Sequence, residues 1–129
     1  MATINKFEDL EIWQEARTLV KEIYRITIET DLKNDFKFRD QIRTSAGSIM
    51  DNIAEGFERN GNQEFRQFLS IAKGSAGEVR SQLYRALDCN YITQDDFDIL
   101  KINCENLSGK INNFISYLNK KEFKGTKFQ

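Results

Sequence analysis

The stretch Phe97–Leu118, FDILKINCENLSGKINNFISYL, decides the fold. Its residues Phe97, Leu100, Cys104, Leu107, Ile111, Phe114 and Leu118 are spaced 3, 4, 3, 4, 3, 4. This is an a/d seam with a period of 3.5 residues, the mark of a helix that buries one narrow stripe. Thr93 is placed to cap its start, with Asp96 three residues on as a short relative of the capping-box acid. Working outward, the preceding segment repeats the pattern in Phe65, Leu69, Ala72, Ala76, Val79, Leu83 and Ala86. Asn90 and Tyr91 end it, so a tight connection joins these two helices and predicts that they lie antiparallel.

A second helix carries Phe38, Ile42, Ala46, Ile49, Ile53 and Phe57, and breaks at Arg59-Asn60-Gly61-Asn62. Gly61 between two asparagines is a turn signal. The first helix places Leu10, Trp13, Ala16, Val20, Ile23 and Thr27 on one stripe, and Ile12, Leu19 and Ile26 on a neighbouring one. The polar stretch Glu29 to Asp35 reads as a loop. The expected helices cover about 9–28, 36–59, 63–89 and 94–119, followed by a basic tail at 120–129. Short loops and four seams of 3.5-residue period predict an all-α chain: one antiparallel, up-down-up-down, left-handed four-helix bundle.

Composition fits that reading. The 129 residues are 40% apolar and 30% charged, enough for one core-bearing domain. There is no proline, so nothing forbids long helices. No apolar stretch is long enough to span a bilayer, and the N-terminus has no signal-peptide pattern, so the expected location is the cytoplasm. Two cysteines are too few for a disulfide scaffold, and Cys104 on the apolar stripe reads as a buried thiol. The sequence has no histidine, so the commonest general acid–base and metal ligand are both missing. A di-metal bundle site uses Glu-x-x-His pairs, whereas Glu55 and Glu78 have no histidine beside them. Without a P-loop, a Gly-x-Ser-x-Gly or a Cys-x-x-Cys, the expectation is a non-enzyme that needs no cofactor and no metal.

Residues that packing leaves unexplained lie on the second and third helices. Ser45, Ser48, Asn52, Glu55 and Arg59 form a polar line spaced 3, 4, 3, 4, matched on the third helix by Ser75, Glu78, Gln82 and Arg85. If the two lines face each other, Asn52, Glu55, Glu78 and Arg85 form a partly buried network; otherwise they are a solvated face with i,i+4 pairs. Gly47, Gly74 and Gly77 fall inside helices, where each costs about 1 kcal/mol relative to alanine. Tight helix or subunit packing is the preferred reason for them, ahead of a ligand pocket. Arg66, Lys73 and Arg80 recur every seven residues as one basic line, suited to phosphates or to acids on a neighbouring helix. Lys120, Lys121, Lys124 and Lys127 oppose Glu122 in the tail. The net charge of −1 argues against an unspecific polyanion binder.

Taken together, FRDQIRTSAGSIMDNIAEGFER (Phe38 to Arg59), EFRQFLSIAKGSAGEVRSQL (Glu64 to Leu83) and FEDLEIWQEA (Phe7 to Ala16) resemble one family over nearly the whole chain. It is the family of four-helix bundle proteins, also named 23S rRNA intervening-sequence proteins or the ribosomal protein S23 family. Many members have proline where this chain has Met50, so the kink which that proline imposes is not implied here. The resemblance implies the up-down bundle, a homopentamer, and a gene lodged within bacterial 23S rRNA insertions. It implies a non-catalytic oligomeric binding or scaffold protein, associated with RNA or the ribosome. A related, strongly basic branch assists a retroelement reverse transcriptase, which suggests an alternative adaptor role through apolar surface at Ile12, Leu19 and Ile26. The family's characteristic positions match Arg43, Ser45, Asn52, Glu55, Gly56, Gly74 and Glu78 here. Candidate phosphate contacts are Arg66, Lys73, Arg80, Lys120, Lys121 and Lys124.

Overall fold

In the computed structural model, which describes residues 4–123, four long helices account for most of the chain. They are α1 (Glu11–Glu29), α2 (Phe36–Glu58), α3 (Asn62–Asp88) and α4 (Gln94–Phe123), with short 3-10 turns at Phe7–Asp9 and Asp31–Asn34. The chain is all-α among the described residues, and each helix packs on its neighbours in chain order, with α4 closing on α1. Asn62, at the start of α3, donates from its side chain to the Leu118 carbonyl near the end of α4, 2.9 Å away. At the other end of the bundle, Arg25 late in α1 meets Asp96 early in α4 at 3.3 Å. No helix is long and apolar enough to cross a membrane among the described residues.

Local chemistry sets the helix ends. Asp35 caps α2 by accepting from the Phe38 N–H, and its other oxygen accepts from the Tyr91 hydroxyl at 2.9 Å. One carboxylate thus satisfies an orphan donor and ties the α3–α4 connection to α2. That hydrogen bond pushes the Tyr91 hydroxyl pKa above its usual value. In the expected turn after α2 the left-handed residue is Asn60, at φ 58°, while Gly61 is extended and precedes α3. Asparagine tolerates that conformation through its short polar side chain. Asn90 repeats the device after α3, at φ 61°. There the Asn90 N–H donates to Leu87 and the Tyr91 N–H to Ala86, the paired bonds of a Schellman ending.

Three features depart from the sequence reading. First, Ile12, Leu19 and Ile26 are core, not surface. With Ala16 and Ile23 they form the buried line of α1, whereas Trp13 and Val20 are only half-buried beside it. Leu10 and Thr27 of the first stripe are buried as well, so the core face of α1 spans both stripes, with Trp13 covering the rim against Phe7. An adaptor surface at Ile12, Leu19 and Ile26 therefore does not exist. Second, the Glu29–Asp35 loop contributes to the core: Leu32 is fully buried, its N–H donating to the Thr30 hydroxyl. Third, α4 continues past the expected residue 119 to Phe123. α2 runs through Met50 without interruption.

Cys104 is buried and Cys89 exposed. Burial disfavours the thiolate and pushes the Cys104 thiol up to about 12. In native protein at mildly alkaline pH, a thiol-reactive chromophore is expected to label Cys89 alone, with Cys104 reacting only after denaturant is added. Two equally fast reactions in the native state would contradict the core.

Candidate binding face between helices α2 and α3

The two polar lines do face each other, but their buried members are the uncharged ones. Ser45 is buried and donates to the Gln41 carbonyl at 3.0 Å. Ser48 is the junction: its hydroxyl oxygen accepts from Asn52 Nδ2 at 2.9 Å and from the Ser75 hydroxyl on α3 at 3.0 Å. Asn52 Nδ2 also reaches the Ser48 carbonyl at 2.7 Å. Charged members stay at the rim. Glu55 is exposed and pairs with Arg59 at 2.9 Å, one turn away on its own helix. Glu78 is exposed, and the exposed Arg85 lays its guanidinium 4.3 Å over the Phe38 ring. Of the two alternatives for Asn52, Glu55, Glu78 and Arg85, the charged residues follow the solvated face with its i,i+4 pair, and the hydrogen-bonded contact between the lines is made by serines and Asn52 instead. Burying a hydroxyl with a partner costs far less than burying a carboxylate.

Along the same two lines a cleft of about 300 Å³ lies between α2 and α3. Gln41, Thr44, Ser45 and Ser48 line it from α2, and Glu78, Gln82 and Arg85 from α3. Gln82 is 5% exposed, and its Oε1 is a buried oxygen without a hydrogen-bond partner. An orphaned buried acceptor costs about 1–3 kcal/mol. Sequence spacing placed Ser45, Ser48, Glu78, Gln82 and Arg85 on these lines. Gln41, four residues before Ser45, continues the α2 line by the same spacing, and Thr44 stands four residues before Ser48; the line as read began at Ser45 and omitted both.

The remaining family positions separate into structural and exposed ones. Arg43 donates to the Thr27 hydroxyl at 2.8 Å and stacks 4.5 Å from the Tyr24 ring, strapping α2 to α1. Gly56 is buried; a Cβ there would lie 2.6 Å from Phe68 Cβ and 3.0 Å from Phe65 Cδ1. It is the one candidate glycine where helices approach closely. Gly47, Gly74 and Gly77 are not: a Cβ on any of them would meet nothing within 4 Å. The packing expected of these three within the bundle is therefore absent, because their open sides face outward.

The basic line is partly neutralised. Arg66 donates to Asn62 and Asn119, and Arg80 pairs with Glu105 at 3.4 Å, so both bridge towards α4 or brace α3. Lys73 is exposed and borders a second hollow of about 430 Å³ with Ser70, Gly74, Asn112 and Ile115. Lys120 is exposed, and Lys121 lies 5.7 Å from the Tyr117 ring. Lys124 and Lys127 lie outside the described residues. No group of three His, Cys, Asp or Glu side chains is placed to hold a metal among the described residues.

The model of the 23S rRNA-intervening sequence protein family matches residues 8–113. No curated protein matches the chain. Among solved structures, a protein of unknown function from the S23 ribosomal protein family of Bacteroides thetaiotaomicron shares the fold, with a TM-score of 0.75 and 20% identity. The alignment covers 81% of this chain and 95% of that one.

Proposed function

The chain belongs to the 23S rRNA-intervening sequence protein family, and on that footing we propose that it is a non-catalytic binding protein that works as an oligomer. The observation that carries this reading is the outward glycine face of α3. Gly74 and Gly77 each give up about 1 kcal/mol of helix stability, yet no group inside the bundle uses the space they leave. Ile71, one turn before Gly74, is 52% exposed, and Gly74 itself borders the hollow with Ile115 of α4. Small residues beside exposed aliphatic ones let another backbone approach and bury apolar area against it. A second copy of the chain is the proposed occupant, five copies being the number implied by the family resemblance.

Substituting Gly74→Ala tests this. It should raise the thermal stability of the subunit, because alanine is the better helix former and meets no obstacle. It should also weaken self-association, read by light scattering as a fall in mass towards the 15.1 kDa of one chain. A wild-type protein that is monomeric at micromolar concentration, or an assembly indifferent to Gly74→Ala, removes the oligomer from the account.

RNA is the second partner we propose, resting on the family description together with Lys73 and Lys120. Both are exposed and carry no ion pair with an acid among the described residues. Two phosphate contacts per subunit predict a binding constant that falls with salt at a log–log slope of about −1.5. Filter binding to the ribosomal RNA insertion at two salt concentrations measures it. Absence of binding at low salt, or binding indifferent to salt, leaves the oligomeric scaffold without the RNA.

A further inference from the structure

The cleft between α2 and α3 is independent of the glycine face, and its polar groups are ordered along α3. Glu78, Gln82 and Arg85 follow one another at intervals of four and three residues, on one side of the helix. They present in turn a carboxylate, a neutral amide and a guanidinium. Neither Glu78 nor Arg85 has an ion-pair partner among the described residues, and the Gln82 oxygen between them has no donor. Gln82 lines the cleft, and the terminal amide torsion of glutamine is soft, so its orphaned oxygen is free to turn to a donor bound there. On the α2 side, Gln41, Thr44, Ser45 and Ser48 offer an amide and three hydroxyls. Groups of this kind bond the amides and carbonyls of an extended backbone.

We propose that this cleft binds a short peptide of two or three residues with both ends free. Its ammonium goes to Glu78, a backbone N–H to the Gln82 amide oxygen, and its carboxylate to Arg85. The order of charges along the peptide, positive, N–H donor, negative, is the complement of the order along α3. Length agrees as well. Seven helical residues rise about 10 Å, and an extended peptide of two or three residues spans about 7–10 Å. A single amino acid is too short to reach both charges. The cleft's volume of about 300 Å³ sits at the small end of ligand sites, in keeping with a di- or tripeptide. Arg85 is held for this task by the Phe38 ring beneath its guanidinium, which leaves its edge donors free.

The test is titration of the intact protein with L-alanine, dialanine and trialanine, followed by thermal unfolding and by amide NMR shifts of Ser45, Ser48 and Gln82. Dialanine or trialanine should raise the melting temperature and move those resonances, while alanine should not. Acetylating the peptide's amine or amidating its carboxylate should weaken binding about tenfold or more, since each removes a charge-assisted bond. Glu78→Gln should reproduce the first loss and Arg85→Met the second, each compared with its own unliganded melting temperature. Gln82→Leu should abolish binding and leave the unliganded protein as stable as wild type, or more so, because the orphaned oxygen is gone. No response to any of the three titrants overturns the proposal. So does binding that ignores end-blocking, or binding that survives in Gln82→Leu.

Discussion

The contact of Gly56 with Phe65 and Phe68 fixes how α2 and α3 leave their shared turn. The helices approach so closely there that a single added carbon would lie 2.6 Å from Phe68 Cβ. Phe65 is fully buried beneath that approach and meets Phe57 and Phe114 edge to face, at 6.0 and 5.4 Å between ring centres. The aromatic cluster therefore joins three helices at one end of the bundle. From that fixed point, about two turns back along α2 and nearly three along α3, Ser48 and Ser75 come within hydrogen-bond distance. Beyond them lies the cleft, with the buried Gln82 in its lining. The site is a consequence of where the hairpin is pinned.

Polar residues in this interface are arranged by cost. Hydroxyls and one side-chain amide are buried with partners, and full charges remain at the rim, where solvent or a ring face carries them. Gln82 is the departure from that economy. A native bundle tolerates a few unsatisfied polar atoms, and this one lies in the lining of the cleft. Glycine shows the same division. Gly56 is used by the fold, whereas Gly47, Gly74 and Gly77 are open to the outside.

Much of the fold was legible because the seams of α2, α3 and α4 repeat without ambiguity; Phe97 to Leu118 alone gives seven residues in register. α1 was harder, since two neighbouring stripes fit the helical period and the core takes both, leaving only Trp13 and Val20 half-buried at the edge. Leu32 could not be found by period at all, being a single anchor in a short 3-10 turn. The turn after α2 was visible, but its strained residue was not, because asparagine and glycine compete for the left-handed position and Asn60 takes it. For the site, spacing placed the two polar lines together and left open which members would be buried. The outcome depends on desolvation, which favours serine and glutamine over glutamate and arginine. Spacing also separates the glycines, since Gly56 falls on the apolar seam three residues after Ile53 and Gly74 falls between Ala72 and Ala76, off their stripe. Only the structure shows how closely Phe68 approaches Gly56.

The central claim, that one glycine pins the α2–α3 hairpin while the others serve the surface, is tested most directly by urea unfolding of Gly56→Ala beside Gly47→Ala. The account predicts opposite signs. Gly56→Ala should lose about 1–3 kcal/mol through overpacking against Phe68 and Phe65, and Gly47→Ala should gain about 0.5–1 kcal/mol from helix propensity. A Gly56→Ala protein as stable as wild type, or more stable, would contradict it.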